Sequence, residues 1–417
     1  MEKIIKVLHL NTEVSHVSAC YKISKALQKN CIESQIIEIV GKENLENVIK
    51  IKKGLAYGLK YRLYTGTESY YINKYCREIE DEAFSFGNLG IDITRNSYIR
   101  DADIINLHWI NYFVSTRTIA KLAMLNRPVV WTVHDCWPFT GGCHLGCESA
   151  FESCCTRCRA LNQEGENILS ARIYRKKEQY LKGKDIVFVA PSQWMKHNLE
   201  RSPLYYGNKV YHIPNPIDTD KFKPQKKHLV HEKRSINLLF GAVNAVSTPY
   251  KGFKKLLEAL GIIAMQYPDI SQNITLNIFG SEEIDKKLIG KYKYRNYGVI
   301  DTEEGLIDAY NEADLFVAPS LADNFPGTVL ESLSCGVPVV AFETGGIPDM
   351  IEHKKNGYLA KYKDSEDLAN GIIWVIKNIG SEMMDNAREK VLNNFTEDKI
   401  AGQYIELYTE LVGNGRS

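Results

Sequence analysis

The chain has 417 residues, a formal net charge of +1 and ten cysteines, with 44% hydrophobic and 25% charged residues. That length predicts two domains of about 200 residues each, and the balanced charge excludes a whole-chain polyelectrolyte partner such as DNA. The opening MEKIIKVLHLNTE has too short an apolar run for a signal peptide, and no other run is long enough for a bilayer, so the expected location is the cytosol, where the thiols stay mostly reduced.

Lys3 to Leu10 reads as an apolar strand, Asn11 to Ser15 as a loop, Ala19 to Gln28 as an amphipathic helix and Gln35 to Val40 as a second strand. This β-loop-α-β opening is the usual start of a doubly wound domain. Val48 to Arg62 holds five basic residues and no acid. Two readings stay open for it, a solvated helix or an interfacial segment that meets anionic lipid. Ala102 to Trp109 is a buried strand ending in His108, and Arg127 to Asp135 another ending in His134. A histidine at a strand's carboxyl end sits where ligands bind in such sheets.

Cys143, Cys147, Cys154, Cys155 and Cys158 crowd one short span. Their spacing allows a structural zinc site, with Cys155-x2-Cys158 as one half, although buried free thiols are the commoner arrangement. Asp185 to Ala190 is a further strand. Val210 to Phe222, with two prolines and few helix formers, reads as a connection, which puts a domain boundary near His212. Ile236 to Gly241 opens the second domain; a loop then reaches Lys251, followed by a helix through Leu260. Asn273 to Gly280 is the next strand, and Tyr297 to Ile300 precedes a helix containing Leu306.

The stretch Ala313 to Pro348, ADLFVAPSLADNFPGTVLESLSCGVPVVAFETGGIP, organises the rest. Leu315 to Val317 is a strand stopped by Pro319, and a polar loop carries Asp323, Asn324, Pro326 and Gly327. Thr328 suits an N-cap for a helix over Val329 to Cys335, Gly336 its C′ position, and Val337 to Phe342 a second strand. The helix start offers free amides to a phosphate. Asp323 and Glu331, with seven residues between them, are placed to accept hydroxyls of a sugar and a ribose. Asn394 to Leu411 has helical apolar spacing.

The NFPGTVLES…CGVPVVA…GG pattern resembles the retaining GT-B glycosyltransferases of family 4, whose signature is Glu-x7-Glu, with Asp323 here replacing the first Glu. INLHW…PVVWTVHDCWPFTGGCH resembles members of that family from bacterial polysaccharide clusters. The resemblance implies an α/β GT-B chain: two Rossmann-like doubly wound parallel-sheet domains facing a central cleft, with the last helix crossing back to the first. Residues 1–212 would form the acceptor side, 213–394 the nucleotide-sugar side and 395–417 the returning helix. It implies His134 and Asp323 as the catalytic pair that orients the donor sugar. Lys251, Asn324, Phe325, Pro326, Gly327 and Thr328 would meet the donor, and Glu331 its ribose. The activity implied is metal-independent, cofactor-free transfer from a nucleotide-diphosphate sugar to a glycan or lipid-linked glycan acceptor of a surface polysaccharide such as a capsule. The interfacial reading of Val48 to Arg62 would add peripheral contact at the inner face of the plasma membrane.

Two further features, besides Asp323, depart from the family. Its first-loop Gly-Gly pair falls on Val14 and Ser15, and its phosphate-binding arginine falls on Val243. These departures leave open a GT-B sugar-nucleotide binding protein that has lost catalysis; a GT-B sugar-nucleotide epimerase is the other alternative, from which the Asp323–Glu331 pair discriminates transfer.

Overall fold

A computed structural model describes residues 4–52, 54–75, 84–145, 150–158, 161, 163–225 and 235–414. The chain divides into two compact units. Residues 1–216 and 397–417 form one, and residues 217–396 the other. The leading segment of the first unit runs to Pro216, a few residues past His212, and Val210 to His212 is a strand of its sheet.

In the first unit the strands are β1 (Lys6–Leu10), β2 (Glu33–Glu38), β3 (Val48–Lys50), β4 (Ile104–Leu107) and β5 (Val129–Thr132). A small antiparallel pair follows, β6 (Arg157–Cys158) and β7 (Gln163–Glu164), and then β8 (Val187–Ala190) and β9 (Val210–His212). The main sheet runs β3-β2-β1-β4-β5-β8-β9, all parallel. This is the doubly wound order, with its topological switch point between β1 and β4. Alternate residues bury opposite faces. Leu8, Leu107, Trp131 and Phe188 join one core. Val7, Ile104, Val130 and Val189 join another, closed by Ile400, Tyr404, Leu407 and Tyr408 of the last helix, Glu397–Asn414. That helix is locked by polar bonds as well as apolar area: Asn106 donates to Tyr408 Oη at 2.8 Å, and Thr132 bonds Asn106 Oδ1 at 3.1 Å and Tyr404 Oη at 3.2 Å.

Val48 to Arg62 is neither wholly helix nor wholly loop. It begins as edge strand β3, and the helix starts at Leu55 and runs to Tyr75. One face of that helix is tied down through aromatic edges. Tyr61 and Tyr64 meet Tyr112, Tyr64 and Tyr71 meet Phe86, and the Glu68 carboxylate accepts from the Phe86 amide at 2.6 Å. The opposite face leaves Leu55, Leu59 and Leu63 in solvent, 97%, 64% and 66% exposed.

In the second unit β10 (Ile236–Gly241), β11 (Ile274–Phe279), β12 (Lys293–Asn296), β13 (Leu315–Ala318), β14 (Val339–Phe342) and β15 (Gly357–Ala360) form a parallel sheet in the order β12-β11-β10-β13-β14-β15. The same winding places its switch point between β10 and β13. Leu239, Phe316 and Val339 face one core, and Leu238, Val317 and Val340 the other. Among the described residues no helix is long and apolar enough to cross a membrane.

Candidate functional site

In the second unit the loops after β10 and β13 meet at the switch point. After β10 the chain makes a tight turn, Pro249–Lys251, and leaves it through Gly252 in the left-handed conformation (φ 78°). A β-carbon on Gly252 would lie 1.8 Å from the Pro319 carbonyl oxygen, so only glycine allows the two loops to close. Leu321 N–H donates to Tyr250 C=O at 2.7 Å from the other side of the same contact. The result is a charge pair, Lys251 Nζ to Asp323 Oδ2 at 2.8 Å, with the two side chains 20% and 15% exposed. Burial disfavours the ammonium, yet the Asp323 carboxylate outweighs it and holds the Lys251 pKa above its ordinary value.

The Asp323 loop is clamped from a third direction. Gly345 (φ 54°) approaches so closely that a β-carbon there would lie 1.7 Å from the Asp323 carbonyl, which also accepts from Gly346 N–H at 3.3 Å. This gives a physical reason for the paired glycines in the TGGIP segment.

The helix that follows spans Gly327–Ser334, beginning two residues before the expected Val329, and Thr328 is inside it rather than capping it. Pro326 holds the N-cap position with φ −65° and has no side chain to bond the first amides. Phe325 is buried edge-on against Phe395, with centroids 5.6 Å apart, and anchors the loop. Asn324 and Thr328 are partly exposed and Gly327 is exposed.

Glu331 therefore falls in the second helical turn, not the first. Helical side chains lean toward the N-terminus, and its Oε1 lies 3.6 Å from where a Gly327 β-carbon would be. Its other oxygen accepts from Tyr310 Oη at 3.1 Å, in a site where Glu331 is 6% exposed. Burial, then the Glu331 charge, pushes the neighbouring Cys335 thiol up to about 12.

Val243, where the family has an arginine, is exposed. Val14, where it has glycine, is buried, and its amide donates to Glu38 Oε2 at 2.8 Å. An internal carboxylate thus occupies the amide of that first loop.

In the first unit His134 belongs to a row of three imidazoles. His9 Nδ1 lies 2.8 Å from His108 Nε2, and His108 Nδ1 lies 2.9 Å from His134 Nε2. His9 and His108 are buried, while His134 is only half-buried by area. Burial lowers His9 to about 3 and His134 to about 4, with Asp135 acting the other way on His134, and carries His108 well below its ordinary value. Strand ends mark His108 and His134 in the sequence, but not His9. The available signal was a polar residue inside the apolar strand KVLHL, beside the switch point.

The loop after β5 is held by two further devices. Asp135 Oδ2 accepts from His144 Nδ1 at 2.6 Å, and His144 Nε2 meets Ser85 Oγ at 2.8 Å. Ser85 is buried and its hydroxyl is also bonded by Asn111, so Asp135, His144, Ser85 and Asn111 read as a satisfied core network. Buried Lys177 donates to the carbonyls of Trp137 and Thr140 and lies 3.6 Å from the Trp137 ring centroid.

Of the cysteine group, Cys147 lies outside the described residues. Cys143, Cys155 and Cys158 are buried, and the Cys155 sulfur accepts from Gly141 N–H at 3.1 Å. Among the described residues the only trio of metal-ligating side chains with atoms within 4.8 Å of one another is His9, Cys20 and His108. There the facing ring nitrogens are engaged with each other.

The histidine row makes a prediction about acid. In the unfolded chain these rings take up protons near 6.5, but in the folded chain His134 stays neutral to about 4 and His9 to about 3. Between those limits the unfolded state binds more protons, so their contribution makes stability fall as pH falls from about 6.5 toward 4. Urea unfolding against pH should show this limb, and His9→Asn should make it shallower. An identical slope in the variant would contradict the assignment.

A family model described as Glycosyl transferases group 1 matches residues 237–378, and one described as Glycosyltransferase Family 4 matches residues 85–221. An uncharacterized glycosyltransferase of Haemophilus influenzae is 30% identical over 188 residues, 43% of this chain and 50% of that protein. The Escherichia coli UDP-Gal:alpha-D-GlcNAc-diphosphoundecaprenol alpha-1,3-galactosyltransferase is 26% identical over 220 residues, 49% of this chain and 55% of that protein. The chain thus spans about half the length of these curated relatives. Among solved structures, a glycosyltransferase from Rickettsia africae superposes with TM-score 0.64 at 16% identity, covering 98% of this chain and 99% of that one. The Anabaena protein HepE, in complex with UDP and glucose, gives 0.61 at 16% identity, covering 98% and 100%. With one family model on each unit and two doubly wound sheets of the same architecture as these structures, the chain belongs to the GT-B glycosyltransferases of the group 1 and family 4 type.

Proposed function

We propose that the protein transfers a sugar, with retention of anomeric configuration, from a nucleotide-diphosphate donor to a glycan or lipid-linked glycan acceptor in bacterial surface-polysaccharide synthesis. The observation that carries this reading is the second unit's charge arrangement. A mostly buried Lys251 is paired with Asp323, and beside that loop stands a helix whose N-cap residue has no capping side chain. Lys251 and the first helix amides suit a diphosphate. Glu331, with one oxygen on Tyr310 and the other leaning toward Gly327, suits the ribose hydroxyls. Asp323 and, from the first unit, His134 orient the sugar.

In the step itself the anomeric carbon loses its bond to the leaving phosphate oxygen and gains one to the acceptor oxygen on the same face. The acceptor proton passes to the departing diphosphate. Lys251 and the amides at Gly327 and Thr328 stabilise the charge that develops there. The donor rests on the second unit and the acceptor on the first. Relatives named for diphosphoundecaprenol-linked substrates support a lipid-linked acceptor.

A second reading, a sugar-nucleotide binding protein without transfer, draws on Val243 and on the Glu38 carboxylate bonded to the Val14 amide. Turnover of a donor panel separates the two.

Two variants test the donor site. Glu331→Ala should weaken both the nucleoside diphosphate and the free nucleoside by roughly tenfold or more, the cost of a charged hydrogen bond. Asp323→Ala releases Lys251, so it should keep or improve diphosphate affinity while turnover falls, because its contacts are spent on the transition state. Calorimetric titration beside single-turnover transfer reads both, and the opposite pattern would reverse the roles.

The helix Leu55–Tyr75 suits peripheral contact with the membrane that carries such an acceptor. Leu55, Leu59 and Leu63 repeat every four residues on its exposed face, Lys60, Arg62 and Lys74 flank them, and the helix's one acid, Glu68, is turned inward. The wild type should sediment with vesicles containing anionic lipid and less so at high salt. Replacing the three leucines with serine should abolish it. A wild type that stays in the supernatant would remove the contact.

A further inference from the structure

The histidine row carries an inference about its own polarity, which rests on the reading that His134 meets the donor sugar. The three rings come from neighbouring strands of one sheet. His9 lies in β1, His108 directly after β4, and His134 two residues after β5. The rings of His108 and His134 lie within 15° of parallel, which suits an in-plane N–H···N bond between them.

A neutral imidazole has one N–H and one lone pair. His108 bonds a ring on each side, so it must donate to one neighbour and accept from the other. The whole row is therefore polarised one way or the other, and only two arrangements exist. In the first, His9 Nδ1–H donates to His108, His108 Nδ1–H donates to His134, and His134 carries its proton on Nδ1. In the second every proton moves to Nε2 and every bond reverses.

The two arrangements differ at the buried end. His9 Nε2 is wholly buried and has no hydrogen-bond partner. In the first arrangement that atom is a bare lone pair, and in the second it is an N–H. An orphaned buried N–H is the rarer and costlier of the two. The nearest chemistry favours the same choice. Cys20 is buried beside His9 and His108, and burial, with the Glu38 charge, keeps its thiol protonated, so it presents a weak S–H donor rather than a thiolate.

We infer that His9 and His108 are positioning residues that fix His134 as its Nδ1–H tautomer, so that His134 offers its ligand a hydrogen-bond donor and does not act as a base. The atom it meets is then an oxygen lone pair of the sugar.

The test is a long-range proton–nitrogen correlation spectrum of the full chain labelled with 15N-histidine, near pH 7.5, with each ring assigned by single substitution. The first arrangement gives three Nδ1–H tautomers, opposite to the form free histidine prefers. Nε2–H on His134 would overturn the proposal. His9→Leu, which removes the donor, should shift His108 and His134 toward Nε2–H and lower turnover about tenfold or more, with nucleoside diphosphate affinity unchanged. His9→Asn, whose amide can donate to His108, should restore the Nδ1–H form and most of the turnover. A His134 tautomer indifferent to His9→Leu would overturn the proposal. If that variant does not fold, the wild-type spectrum alone decides. Should the tautomers be as stated while His134→Ala transfers sugar normally, the row stands and the sugar-binding role of His134 falls.

Discussion

One ion pair conditions the second unit. Lys251 reaches Asp323 at 2.8 Å only because the two loops that carry them touch, and they touch because Gly252 has no side chain to strike the Pro319 carbonyl. A pair this sheltered costs desolvation to form and leaves an uncompensated charge when broken. Its value in the ligand-free protein is positional. The ammonium is kept charged at the mouth of the switch point by a carboxylate on the neighbouring loop. In the proposed function, a diphosphate that competes for Lys251 would release Asp323 to the sugar at the same moment.

The first unit answers with a different device. Its switch-point residues are neutral imidazoles backed by a polar layer in which Asn106 and Thr132 bond Tyr408 and Tyr404 of the returning helix. Burial keeps these rings neutral near pH 7, so they hydrogen-bond without carrying charge.

Much of this was legible in the chain. Apolar strands next to glycine-rich and proline-rich loops marked the two parallel sheets, and the Ala313 to Pro348 stretch marked Asp323 and Glu331. What escaped has physical reasons. The strands β3 and β12, VIK and KYRN, read poorly because each is the edge of its sheet, where charge is favoured and apolar alternation is lost. The helix start was misplaced because Thr328 has the better capping side chain, whereas Pro326 brings a pre-set φ that opens the helix earlier. Tyr310 and His9 are partners across the fold, separated from Glu331 and His108 by 21 and 99 positions, and no local pattern reports them.

The central claim is that Lys251 is the diphosphate's cation. It is tested most directly by calorimetric titration of wild type and Lys251→Met with a nucleoside diphosphate and with the corresponding nucleoside. Lys251→Met should weaken the diphosphate roughly tenfold or more, as expected for a lost charged hydrogen bond, with no comparable change for the nucleoside. Equal diphosphate affinity in a folded Lys251→Met protein would contradict it.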